Sequence, residues 1–383
     1  MPKDKISVRQ LGALLFSALL SPMIQLLPRE TAAAAGKAGW LTALPALPAA
    51  LALAWALWTV MTCVPEEGGM ACGLEYAFGR WAGRLITVLY LLWGLLLLGW
   101  NIRWCAFRFL STSYRNGPLL LFIAILLGIT LWVGRKKPVV LGRAGEIFAL
   151  ALGAALGFSL LFGAFQMKRA NLGPIWTEEW AAVPGGVWPV LGLMGYAVFG
   201  AFLPNDTSSL KKEKRRPLRW AGWFCGLLGL FQLICIGNFG PGLIRKMEIP
   251  FYMMVKGIGV QGAFQRVESL VMALWVLSDL ALLGMLFFAC RQITEGWMGS
   301  RAKGWLPWGI ALAAGGLAVG MLPDSYELSH VMERAAVAGN IVLGMALPVA
   351  AALVIRLRNA GKTEKEGSRT AGTEPPRKRK KEL

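Results

Sequence analysis

The sequence predicts an all-α polytopic membrane protein: ten transmembrane helices in a 5+5 inverted repeat, with helices 1 and 6 broken. Composition is the first observation. Hydrophobic residues make up 56% of the 383 and charged residues 16%, against about 25% charged in a soluble domain. Recurrence is the second. Apolar runs cover approximately residues 9–28, 38–63, 83–107, 118–134, 144–166, 187–204, 219–240, 265–290, 305–322 and 334–355. Each is too long for a barrel strand and lacks its alternation, so only helices fit. Interruptions in the first and sixth runs are the third. Because five is odd, a second half copying the first enters the membrane from the opposite side, and transporters of that design place their site at broken helices.

The first run follows Lys3, Lys5 and Arg9. Ala32-Ala33-Ala34 offers the small residues of a signal-peptide cleavage site, but Arg29 and Glu30 stand where processing needs small neutral ones. An uncleaved first helix is expected. Ser21-Pro22 lies well inside it; Pro22 cannot donate to the Ala18 carbonyl, and its ring crowds that turn. Charge placement orients the rest. With a cytoplasmic amino terminus, 28 of the 40 Lys and Arg residues fall on the inner side, led by Arg135-Lys136-Lys137 and Lys211 to Arg219. The positive-inside rule then puts both termini in the cytoplasm, and much of the net charge of +19 is topology rather than nucleic-acid binding. Trp40, Trp58, Trp81, Trp104, Trp132, Trp188, Trp220 and Trp305 fall near helix ends, where amphipathic rings favour the interface.

Helix 3 carries Tyr90, Trp93 and Asn101, candidates for closing a cavity, with simple packing the competing reading. In helix 6, Gly192, Gly195 and Gly200 bracket Tyr196 and Phe199, so the backbone can leave helical angles cheaply. Small residues that only let helices approach closely are the alternative. The Gly-rich segment 241–262, with Pro241 and Pro250, reads as a lid on the outer face. Helix 8 holds Asp279, the one charged side chain between Glu268 and Arg291. A carboxylate at mid-membrane costs roughly 2.5–3.5 kcal/mol on insertion scales, so it must face a partner or a wet cavity. Residues 1–358 form the transmembrane domain. From Asn359, Lys, Glu, Ser, Pro and Thr replace apolar residues, and 359–383 reads as a disordered, basic cytoplasmic tail whose Arg377–Lys381 cluster suits anionic lipid.

Unwound helices 1 and 6 would turn free N–H groups toward a ligand carboxylate and free carbonyls toward an ammonium group or a cation. The expected ligand contacts are Ser21, Pro22, Tyr90, Trp93, Gly195, Tyr196, Phe199, Gly200, Ser278 and Asp279. Six scattered cysteines show no metal-binding spacing, and His330 with its loop acids is a weak metal signal. No phosphate loop, nucleophile elbow or paired-acid motif is present, so neither cofactor, metal nor enzymatic activity is expected.

The stretch Gly262-Ala263-Phe264-Gln265-Arg266-Val267-Glu268-Ser269-Leu270, followed by Trp275, resembles the helix 8 entrance of the spore-germination permeases, the B subunits of nutrient germinant receptors in the amino acid–polyamine–organocation transporter superfamily. Ile6-Ser7 with Gln10-Leu11, Gly39-Trp40-Leu41, Gly79 with Gly83, and Ile249-Pro250 leading to Lys256-Gly257-Ile258 are similar as well, so the likeness spans about residues 5–355. The resemblance implies a ten-helix inverted repeat and the sensing of a germinant, typically an amino acid, in the inner membrane of a dormant spore. It also implies two partners: a membrane A subunit with a cytoplasmic domain, and a lipoprotein C subunit on the outer face. An ordinary amino acid permease, coupled to a proton or cation through Asp279, is the alternative. Arg266 and Glu268 have a plain structural reading, since Glu268 in a first helical turn complements the helix dipole.

Overall fold

The computed structural model describes residues 5–63, 69–112, 117–257, 267–299, 304–320 and 326–371. Nearly all of them are helical. Helix α1 (Val8–Ala35) opens on a capping box: Gln10 N–H donates to the Ser7 hydroxyl, and Ser7 N–H donates to the Gln10 side chain. The Ser-x-x-Gln spacing at the start of the chain is therefore a helix-start device. Just before it, Ile6 N–H donates to the Pro204 carbonyl and Asp206 N–H donates to the Ile6 carbonyl, tying the amino terminus to a segment about 200 positions later.

A 3-10 turn (Gly36–Thr42) leads into α2 (Ala43–Thr62). A short helix (Met70–Phe78) and Gly79, in the left-handed region at φ 88°, precede α3 (Arg80–Thr112). Then come α4 (Leu119–Gly134) and α5 (Pro138–Phe165). Helix α6 has two parts, Val187–Gly195 and Ala197–Ala201. A short helix (Thr207–Lys212) precedes α7 (Arg215–Phe239), and two more follow it, Pro241–Ile244 and Pro250–Gly257. Helices α8 (Val267–Met298) and α9 (Leu306–Gly320) come next. Helix α10 runs Tyr326–Ile341, widens through a π-helical turn at Val342–Ala346, and continues as Leu347–Ala371.

Among the described residues, seven helical stretches are long and apolar enough to cross a membrane; the first, Val8–Thr62, contains both α1 and α2. Helices α4 and α9 are shorter apolar helices. Large apolar side chains such as Leu85, Leu92, Ile147 and Leu150 point outward, as hydrocarbon rather than water would permit. Helix α1 is the hub, packed against α5, α8, α7 and α6, while α10 packs on α6 and α2.

Two expectations change. Helix 1 is not broken: α1 passes through Pro22 and Pro28 without interruption. Enclosing helices let a membrane helix carry a proline by compensating its lost backbone bond, and the Ser278 hydroxyl donates to the Ser17 carbonyl close by, at 2.6 Å. Helix 6 tightens rather than unwinds. Tyr196 keeps right-handed angles (φ −59°, ψ −24°), Tyr196 N–H donates to the Leu193 carbonyl, and Phe199 N–H donates to the Tyr196 carbonyl, a 3-10 pattern. Helix α10 continues past Asn359 to Ala371. No proline interrupts that segment before Pro375, so the helix can propagate into polar sequence.

Candidate functional site

Asp279 sits where α1, α3 and α8 meet, and its partner is Arg108. The Arg108 guanidinium pairs with Asp279 Oδ2, donates to Ser21 Oγ at 3.2 Å, and lies 4.2 Å from the centre of the Trp275 ring. Ser21 Oγ in turn donates to Asp279 Oδ1 at 2.6 Å. The two charged side chains are only 3% and 2% exposed. Both carboxylate oxygens are engaged, which is how a charge is tolerated at this depth. The third apolar run ends at Phe107, so the sequence reading placed Arg108 beyond the span, whereas α3 extends five residues further. A cation one residue past an apolar run, four after Trp104, was the available signal.

A cavity of ≈ 60 Å³ lies between α1, α3, α6 and α10. Pro22, Asn101, Arg108, Tyr196 and Asn340 line it, and Glu248 and Ile249 of the segment after α7 close one side. Residues 258–262 of the segment expected to form an outer lid lie outside the described residues. The polar groups are interlocked. Asn101 Nδ2 donates to the Tyr196 hydroxyl at 3.3 Å and to the Leu97 carbonyl at 2.7 Å. Trp93 Nε1 donates to Asn340 Oδ1 at 3.0 Å, and Asn340 Nδ2 donates to the Gly192 carbonyl at 2.9 Å. The sequence reading missed Asn340, although a lone amide in an apolar run is the usual mark of an inter-helix hydrogen bond.

At one end of the cavity, Arg29 Nη2 and Glu333 Oε2 pair at 2.5 Å, with side chains 14% and 12% exposed. Arg29 also reaches Glu30 at 3.2 Å. Beyond that pair opens a wider vestibule of ≈ 730 Å³, which Leu26, Arg29, Glu333 and Val337 share with the inner cavity. The ion pair is thus part of the wall the two spaces share.

The expected contacts divide into two groups. Pro22 and Tyr196 line the cavity; Ser21 and Asp279 bond to its wall through Arg108, and Trp93 through Asn340. The remaining five belong to neither set. The Tyr90 hydroxyl donates to the Leu343 carbonyl in the π-helical turn, and its ring packs on Phe199 and Phe202. Phe199 is fully buried, Gly200 packs on Leu15 and Leu11, and Ser278 serves α1 as described. At Gly195 an added Cβ would stand 2.4 Å from the Asn340 carbonyl oxygen. The helix 6 glycine there lets α6 and α10 touch, a packing use rather than backbone release. The side chains of Arg266, Glu268 and His330 lie outside the described residues.

A family model described as spore germination protein, the spore permeases, matches residues 5–314. The chain belongs to this family. Two relatives come from Bacillus subtilis (strain 168). Spore germination protein KB is 22% identical over 286 residues, 71% of this chain and 73% of that protein. The putative spore germination protein YfkT is 24% identical over 200 residues, 51% of this chain and about half of its own length, 53%. Among solved structures, that of MhsT in complex with L-phenylalanine matches with a TM-score of 0.61 at 15% identity, covering 92% of this chain and 89% of that one. At that identity the likeness is one of fold. Together with the membrane-capable helices, these matches make this spore permease an integral membrane protein of the transporter-fold type.

Proposed function

We propose that this spore permease is the membrane B subunit of a nutrient germinant receptor, binding a small nutrient such as an amino acid in the cavity between α1, α3, α6 and α10. The observation carrying this reading is the coincidence of spore-permease membership over residues 5–314 with a central cavity lined by interlocked polar groups. In the same reading the ten apolar runs form a 5+5 inverted repeat, both termini face the cytoplasm, and the spore inner membrane or cell membrane houses the chain. The A and C subunits are the partners that read its state.

Arg108, Asn101 and Asn340 supply donors for a ligand carboxylate, and Glu248 and Glu333 lie at the end where an ammonium group would sit. At ≈ 60 Å³ the cavity is far below the roughly 300–1,000 Å³ of drug-sized ligand pockets. Binding therefore requires α1 and α6 to move apart from α3 and α10, with the Arg29–Glu333 pair opening on entry. A ligand favouring the widened form shifts the population, and that shift is the signal. Asp279 in this reading ties α1, α3 and α8 together.

The second reading is an amino acid permease coupled to a proton or cation, favoured by the shared fold with MhsT, a protein solved with L-phenylalanine bound. Occupation of both Asp279 oxygens by Arg108 and Ser21 weighs against Asp279 as the coupling group. Proteoliposomes loaded with an ion gradient and offered labelled amino acids separate the two. Saturable binding without accumulation supports the receptor; gradient-driven accumulation overturns it in favour of the permease.

A further inference from the structure

A second cleft, of ≈ 730 Å³, lies on a different face of α6 from the ligand cavity. Met194, Ala197 and Ala201 form its floor, whereas Gly192, Leu193 and Tyr196 of the same helix face the ligand cavity. Its walls come from α1, α2, α5 and α7. Among the described residues that line it only two are charged, and both are arginines, Arg9 and Arg216. They share one end. Trp220 Nε1 donates to the Gly12 carbonyl at 3.0 Å, locking α7 to α1, and Arg216 and Arg9 each lie about one turn before that contact on their own helices. From Arg216 the cleft follows α7 to Ile234, about 27 Å at 1.5 Å per residue, most of the ~30 Å thickness of a hydrocarbon core. Leu161, Trp223 and Leu230 on its rim are exposed, so it opens sideways, toward lipid.

We propose that this cleft is a binding site for an anionic glycerophospholipid, with one acyl chain along the α1–α6 floor and the phosphate at Arg9 and Arg216. The apolar lining offers a water-soluble ligand nothing to bond to, while an acyl chain gains its full buried contact there. The headgroup end carries a further excess of cations, since Lys211, Lys212, Lys214, Arg215 and Arg219 surround Arg216 in sequence. Arg9 and Arg216 already pair with Glu146 and Glu213, each through one guanidinium nitrogen. Such exposed pairs are weak, and a guanidinium has further donors for a phosphate. The acyl chain would touch α6 directly, beside the tightened turn at Tyr196.

The test is lipid retention by the purified full chain in detergent, counted by native mass spectrometry after titration with phosphatidylglycerol or phosphatidylcholine of matched chains. Inorganic phosphate serves as the headgroup-only arm. The site predicts phosphatidylglycerol adducts at concentrations where phosphatidylcholine leaves few, and no competition from inorganic phosphate at equal concentration. Arg9→Gln with Arg216→Gln should lower phosphatidylglycerol retention about tenfold or more, since each cation near the surface contributes to anionic lipid binding. Gly157→Trp should lower retention of both lipids, because Gly157 lines the cleft and a Cβ there meets nothing within 4 Å. Equal retention of the two lipids by the wild-type chain overturns the proposal, whatever the variants do. Phosphatidylglycerol retention unchanged in all variants, or a co-purifying polypeptide cross-linked at position 157 in place of lipid, overturns it too.

Discussion

Replacing Asp279 by asparagine keeps the shape of the side chain but strands Arg108. In the native protein that guanidinium, 3% exposed, is paired with a carboxylate 2% exposed, and Ser21 bonds to the same carboxylate at 2.6 Å. With so little solvent at either charge, screening gives no relief. Removing one member of a buried pair typically costs about 3–5 kcal/mol, most of it from the uncompensated charge left behind. Asp279→Asn retains an acceptor for Ser21 and Arg108, so the cost should lie near the lower end, about 3 kcal/mol. Arg108→Met should cost a similar amount. Arg108→Met combined with Asp279→Asn removes both charges and should recover much of the loss, because no uncompensated charge is left buried. The assay is equilibrium unfolding of the four proteins in matched micelles, read as a double-mutant cycle with an expected coupling of at least about 2 kcal/mol. Single costs that add in the double variant to within about 0.5 kcal/mol would show that the two side chains do not act as a pair, and the reading of Asp279 as an inter-helix tie would fall.

Three further outcomes are expected. Gly195→Ala should prevent recovery of monodisperse protein, since its Cβ would stand 2.4 Å from the Asn340 carbonyl, while Gly157→Ala should be neutral; size-exclusion profiles of the two decide this. Asn340→Ala strands Trp93 Nε1 and the Gly192 carbonyl, at about 1–3 kcal/mol for each group left buried without a partner, measured as a loss of unfolding free energy. Asp206→Ala removes the cap of the Thr207–Lys212 helix at about 1 kcal/mol. Burial pushes the Asp206 carboxyl up, but hydrogen bonds from Ser208 and Ser209 outweigh it and hold the group below its ordinary value. The cap's contribution is therefore present above the ordinary carboxylate range and lost as pH falls through the lowered value. A variant as stable as wild type at pH 7, or one whose deficit does not shrink as pH falls below the ordinary carboxylate range, contradicts this.

Helix positions were readable because burying a backbone in hydrocarbon demands a long apolar run. The runs 118–134 and 144–166 correspond to Leu119–Gly134 and Pro138–Phe165 with small offsets. The need of Asp279 for a partner was equally legible, since the cost of an isolated charge depends only on its depth. The partner was not, because Arg108 is 171 positions away and hydropathy alone ends the third run one residue before it. The two interruptions misled for a related reason. Whether proline breaks a helix, or glycine frees it, depends on what packs there. Around Pro22 the neighbouring helices enclose α1, and at Gly195 the space is taken by the backbone of α10. Tyr90 and Phe199 are on the expected helices, but their rings meet edge-to-face in the core beside the cavity.

The central claim is that a small nutrient binds among α1, α3, α6 and α10. Asn101 is the residue to change, because its amide lines that cavity and bonds to Tyr196 without joining the Arg108–Asp279 pair. Titrating the purified chain with a panel of amino acids, wild type beside Asn101→Leu, should give saturable binding of at least one amino acid to wild type. In the variant that binding should be weakened about tenfold or more, a loss of roughly 1.4 kcal/mol, with the unfolding temperature little changed. Affinity unaltered by Asn101→Leu, or no binding of any amino acid to the folded wild-type chain, would contradict the account.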